Sequence, residues 1–152
     1  FASVADPELR VVLYLALMDE RVEELKALAV KHKPIPAVVL SRMTELSEQA
    51  LDAAATTSDS AMSGSLEFIA HRTEMQADVL VDLMAYAKAT QHGSLLQAQA
   101  ICWRTHQVAV MALSAPQTFR QMYQGEDIDK DLALPVVGDP EALDGPAETG
   151  SP

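Results

Sequence analysis

The sequence predicts an all-α protein: a four-helix up-down-up-down bundle built from two αα-hairpins, followed by an extended acidic Pro/Gly tail. Three observations carry this. Apolar residues recur at Val11, Leu15, Met18, Val22, Leu25 and Ala29, in alternating steps of four and three, which is the stripe of a helix lying along another helix. Aromatic residues supply only 5% of a chain that is 49% hydrophobic, so Ala, Leu, Val and Met carry the core, which suits closely packed helices better than a β-sandwich. At 152 residues the chain is long enough to bury one core without disulfides or a metal.

The elements follow in order. Asp6 caps the first helix and Pro7 takes its first position, where a missing N–H does no harm. The helix runs to about Lys31, and Lys31, His32 and Lys33 sit at the negative end of its dipole. Pro34 and Pro36 force a turn and open a second helix with the stripe Ile35, Val39, Met43, Leu46, Ala50 and Ala53. The polar, small-residue run TTSDSAMSGS over 56–65 reads as a loop. A third helix then turns Leu66, Ile69, Ala70, Ala77, Leu80, Met84 and Ala87 inward, and Gly93 marks the next turn. Ser94 with Gln97 reads as the capping box of a fourth helix. That helix buries Ala98, Ile101, Cys102, Val108, Ala109 and Ala112 and stops near Ser114. Pro116 starts a short extra helix through Tyr123, closed by Gly125. Tight connections near 33–35 and 91–94 make the two hairpins; an open, elongated pair of hairpins is the alternative. The division expected is a bundle over 1–125 and an extended tail over 126–152.

The net charge of −11 is unevenly placed. After Gly125, the acids Glu126, Asp127, Asp129, Asp131, Asp139, Glu141, Asp144 and Glu148 face only Lys130, so the tail holds −7 of it. With no basic stripe, a nucleic-acid partner is not expected. The single cysteine, Cys102, excludes an intrachain disulfide and a thiolate zinc cage. The chain lacks Asn, and therefore any N-glycosylation sequon. Its longest purely apolar run, 11–18, falls far short of the roughly 18 residues that span a bilayer, so no transmembrane segment is expected. Because the chain begins at Phe1 rather than Met, it reads as a processed or truncated product, which leaves room for an upstream targeting segment or membrane anchor.

The run Asp6-Pro7-Glu8-Leu9-Arg10, then Leu15-Ala16-Leu17 and Asp19 through Leu25, DERVEEL, resembles an uncharacterised bacterial helical domain family. Leu66, Ile69, Met75, Gln76, Val79, Leu80 and Leu83 match its third-helix pattern loosely, and the resemblance covers about residues 6–113. It implies an extracytoplasmic domain, commonly behind a single membrane anchor and encoded near extracytoplasmic-function sigma factors, with no catalytic residues to carry over. The Tyr-Pro-x-Lys helix that usually precedes the Asp-Pro-Glu start is absent from this sequence.

Chemistry-bearing clusters are sparse. Met75, Cys102 and His106 are soft-metal ligand types, and a hairpin turning near 92 places 75 opposite about 108; ordinary packing of a Met gap-filler and a small buried Cys is the plainer reading. Glu67 with His71 lacks the Glu-x-x-His spacing, and the repeat, of a di-iron bundle. There is no nucleophile elbow and no Gly-rich phosphate loop. Glu20, Glu23, Glu24 and Lys26 read as a solvated face, Trp103 with Arg104 as a partner patch or half-buried packing, and Arg21 as a residue that reaches a carboxylate across the bundle or snorkels to water. No catalytic residue, cofactor or metal is expected.

Two features favour assembly. Every position from Val11 to Met18 is apolar, so Val12, Leu13, Tyr14 and Leu17 form a surplus face that needs a cover. In the tail, Leu132, Leu134, Val136 and Val137 form an apolar extended segment suited to docking. The expected function is therefore a non-enzymatic structural subunit of a bacterial cell-envelope or extracellular assembly, binding itself or other envelope proteins. A membrane-anchored sensory or ligand-binding bundle linked to sigma-factor signalling is the second reading, and a soft-metal bundle the third.

Overall fold

The computed structural model describes residues 6–124, which are all-helical with no strand among them. The helices are α1 Pro7–Val30, α2 Ala37–Ala55, α3 Asp59–Leu83, α4 Ala89–Ser114 and α5 Pro116–Gln124. Packing is most extensive between α3 and α4 and between α1 and α2; the pairs meet where α1 lies on α3 and α2 on α4, an arrangement compatible with a helical bundle. The tail residues expected to dock, Leu132, Leu134, Val136 and Val137, lie outside the described residues.

In α1 the Asp6 carboxylate accepts the Glu8 N–H at 3.0 Å and Pro7 opens the helix. All six residues of the expected stripe are buried. The helix ends in a Schellman turn: the His32 N–H donates to Ala29 O and the Lys33 N–H to Leu28 O. His32 takes the left-handed conformation that this turn demands, with φ 57°.

In α2, Val39, Met43, Leu46, Ala50 and Ala53 are buried as expected, whereas Ile35 packs part-buried before the helix starts. Its last carbonyls are met by two hydroxyls, Thr56 Oγ1 to Ala53 O at 2.8 Å and Thr57 Oγ1 to Ala54 O at 2.6 Å. The loop expected over 56–65 is much shorter. Ser58 occupies the N-cap position and α3 starts at Asp59, because Met62, Ser65 and Leu66 continue the buried stripe backwards and burial outweighs the weak helix propensity of Ser and Gly.

The turn between α3 and α4 is also displaced. It lies at residues 84–88, not 91–94, and both Gly93 and the expected Ser94 cap are inside α4. Met84 and Ala87, expected on the third helix, cover the core from the turn. Gln91 supplies the cap instead, its Oε1 accepting the Lys88 N–H at 3.0 Å. The same side chain donates from Nε2 to Leu28 O at 3.1 Å and Lys33 O at 2.5 Å, so it locks the start of α4 onto the end of α1. At the other end, Arg120 of α5 donates to Ala55 O at 2.9 Å and pairs with Asp59 at 2.8 Å. Phe119 and Tyr123 are buried, their rings 4.8 Å apart.

Candidate interaction surfaces

A polar chain crosses the core from α4 to α1. Gln76, 3% exposed, donates from Nε2 to Asp19 Oδ1 at 2.7 Å, and the Cys102 thiol donates to its Oε1 at 3.8 Å. Asp19 also pairs with Arg72, whose guanidinium lies 5.7 Å from the Phe68 ring centre. This chain satisfies buried polar atoms and fixes how α1 sits on the α3–α4 hairpin. Burial pushes the Cys102 thiol up to about 12, which disfavours the thiolate needed for nucleophilic attack or metal binding.

The true register of the hairpin places Gln76 beside Cys102 and Ala70 beside His106, whose Nδ1 lies 2.8 Å from Ala70 O. The expected pairing of 75 with about 108 is corrected accordingly, since the turn falls several residues earlier. Met75 is 49% exposed while Cys102 is fully buried, so those sulfurs face different surroundings. Among the described residues, no group of three or more His, Cys, Asp and Glu is placed to hold a metal ion. Arg21 does not reach across the bundle; its Nε lies 3.0 Å from Glu24 of its own helix. Glu20, Glu23, Glu24 and Lys26 are exposed.

The surplus face of α1 divides. Tyr14 and Leu17 pack part-buried against the core, Leu13 is half-buried, and Val12 is 44% exposed. Val12 opens into a shallow groove of about 310 Å³ between α1 and α3, lined also by Glu8, Val11, Ala61, Gly64 and Phe68. A second depression, about 220 Å³, lies between α1 and α2 and is lined by Arg10, Tyr14, Gln49, Asp52, Ala53 and Thr56. There Arg10 Nη2 lies 3.5 Å from Thr56 Oγ1, and Arg10 Nε is buried without a hydrogen-bond partner. Nearby, burial first, and then the carboxylates of Glu48 and Asp52, push the Tyr123 hydroxyl up, with Arg104 opposing.

Three residues that organise these surfaces, Gln76, Gln91 and Phe68, were given no such role by the sequence. The signal for Gln76 was its inward position in the 69, 73, 76, 80 series; Gln at such a position implies a buried partner. Among the described residues no helix is long and apolar enough to cross a membrane. No protein-family model, no curated protein and no solved structure matches the chain.

Proposed function

We propose that this chain is a non-enzymatic assembly subunit that joins copies of itself outside the bacterial cytoplasm. In this reading the α1–α3 groove of one copy receives the apolar segment 132–137 of the next. The two hairpins are taken as an up-down-up-down bundle, because Gln91 ties the start of α4 to the end of α1 while Arg120 ties α5 to the α2–α3 junction. The observation that carries the reading is the groove beside Val12: an exposed β-branched residue at the mouth of a cleft whose walls join Val11, Ala61 and Phe68 to the polar Glu8, Ser60 and Ser65, with Ala61 and Gly64 letting a chain segment approach closely. The tail is chemically suited to it. Leu132, Leu134, Val136 and Val137 are apolar, and the acids on both sides of them oppose burial of the rest. The extracytoplasmic location rests on the family resemblance alone.

Removing residues 126–152 tests the reading. The expected result is a monomer with unchanged helical circular dichroism, against an associating full chain. A shortened chain that assembles normally overturns the proposal, and so does a full chain that stays monomeric.

The depression at Arg10 favours a second reading, a sensory bundle that takes a small carboxylate on the Arg10 guanidinium. Stabilisation by succinate that disappears in Arg10→Gln supports it; equal stabilisation of both proteins removes it.

A further inference from the structure

The outer face of the α3–α4 hairpin carries an apolar column that the core does not use. On α4, Leu96, Trp103 and Val110 are spaced seven residues apart and are 53%, 37% and 45% exposed. Seven-residue spacing keeps them on one side of the helix, drifting only about 20° per step. The side is fixed by His106, which reaches Ala70 O on α3 and meets the Trp103 ring edge-on at 5.3 Å. The hairpin register given by the Gln76–Cys102 and Ala70–His106 pairs sets Leu96 beside Val81, Trp103 beside Glu74 and Val110 beside Glu67. Val81 is itself 48% exposed, and it shares seven-residue spacing with Glu74 and Glu67. Two parallel columns result: an apolar one on α4, and an acidic one on α3 that Asp78 extends and Val81 ends.

We propose that this face is a docking site for one amphipathic helix of a partner protein, with an apolar seam that seats on Leu96, Trp103, Val110 and Val81 and basic residues that meet Glu67, Glu74 and Asp78. The seven-residue repeat specifies a helix, because only a helix laid nearly along α4 returns a side chain to the column at every second turn. Charge specifies its flank: Glu67, Glu74 and Asp78 are all exposed, and the opposite border of the column is the uncharged, exposed pair Ala100 and Gln107. A second copy packed antiparallel through the same face sets the two acidic columns against each other, which like charges oppose. The site is separate from the α1–α3 groove, which borders the other flank of α3.

Trp103 is the chain's single tryptophan, so its emission reports the face directly. The test titrates the full chain with a Trp-free helical peptide carrying a Leu seam and Lys flanks, and with its Glu-flanked counterpart. The Lys-flanked peptide should shift Trp103 emission to the blue and saturate, while the Glu-flanked peptide binds at least about tenfold more weakly. Leu96→Glu and Val110→Glu, both at exposed positions, should weaken Lys-flanked binding about tenfold or more with helical circular dichroism unchanged. Glu74→Lys should narrow or reverse the preference between the peptides. Equal binding of both peptides, no saturable shift, or wild-type binding by Leu96→Glu overturns the proposal. A blue shift that grows with protein concentration in the absence of peptide assigns the face to a second copy and also overturns it. Because the readout is emission and not assembly, loss of the segment 132–137 leaves it unchanged, so its outcome is independent of the self-association reading.

Discussion

Gln91 carries more of the tertiary organisation than its single position suggests. Three hydrogen bonds converge on one amide: the Lys88 N–H on Oε1, and Leu28 O and Lys33 O on Nε2. Truncation to Ala removes all three and leaves the Lys33 carbonyl without this partner, so Gln91→Ala should cost about 1–3 kcal/mol of unfolding free energy. A denaturant midpoint equal to that of the parent chain contradicts this. Cys102 gives a pH signature. Its thiol pKa rises from 9.0 to about 12 on folding, so above pH 9 the unfolded chain sheds a proton that the native chain retains. Stability is then full below about pH 9 and falls toward pH 12, by up to about 1.4 kcal/mol per pH unit. The raised Tyr123 hydroxyl acts in the same direction. Urea midpoints measured at about pH 8 and about pH 10 should converge in Cys102→Ala relative to the parent; parallel losses in both proteins rule out the thiol as the cause. At this scale the sequence was least legible, because a Gln reads the same whether it is solvated or buried against two carbonyls.

At the scale of elements the stripes were legible and the punctuation was not. Val11, Leu15, Met18, Val22, Leu25 and Ala29 are all buried, since a four-three alternation has one inward face whatever packs on it. Gly and Ser misled at the start of α3 and at Gly93, where tertiary burial of Met62 and Leu95 extends helices through residues of weak propensity. Gly93 separates the two readings sharply. A Cβ built there meets nothing within 4 Å, and its φ is not in the left-handed region, so Gly93→Ala should stabilise the protein by about 0.5–1 kcal/mol through helix propensity and lost chain entropy. In a turn that needed a left-handed residue, the same substitution would destabilise. Thermal unfolding of the variant decides between them.

Across the whole molecule, exposure is what separates packing from function. A surplus apolar face on α1 was legible as composition, but Tyr14 and Leu17 prove to be largely packing, and Val12 alone of the four is exposed, at 44%. Of the α4 column, only Trp103 was legible, as a partner patch or half-buried packing, for the same reason in reverse. Inward Ala98, Cys102 and Ala109 and outward Leu96, Trp103 and Val110 are all apolar, so periodicity has little contrast on that helix. Only the packing of α4 against its neighbours, which buries Ala98, Cys102 and Ala109, shows which set faces out. We propose that the apolar surfaces of this helical body serve association, with the acidic tail docking on one of them. Sedimentation of the full chain beside Val12→Glu and the double variant Leu134→Asp/Val136→Asp tests that claim most directly. The account predicts concentration-dependent association of the parent and monomers for each variant, with helicity retained in all three. A parent that sediments as a monomer at every concentration, or variants that associate as the parent does, would contradict it.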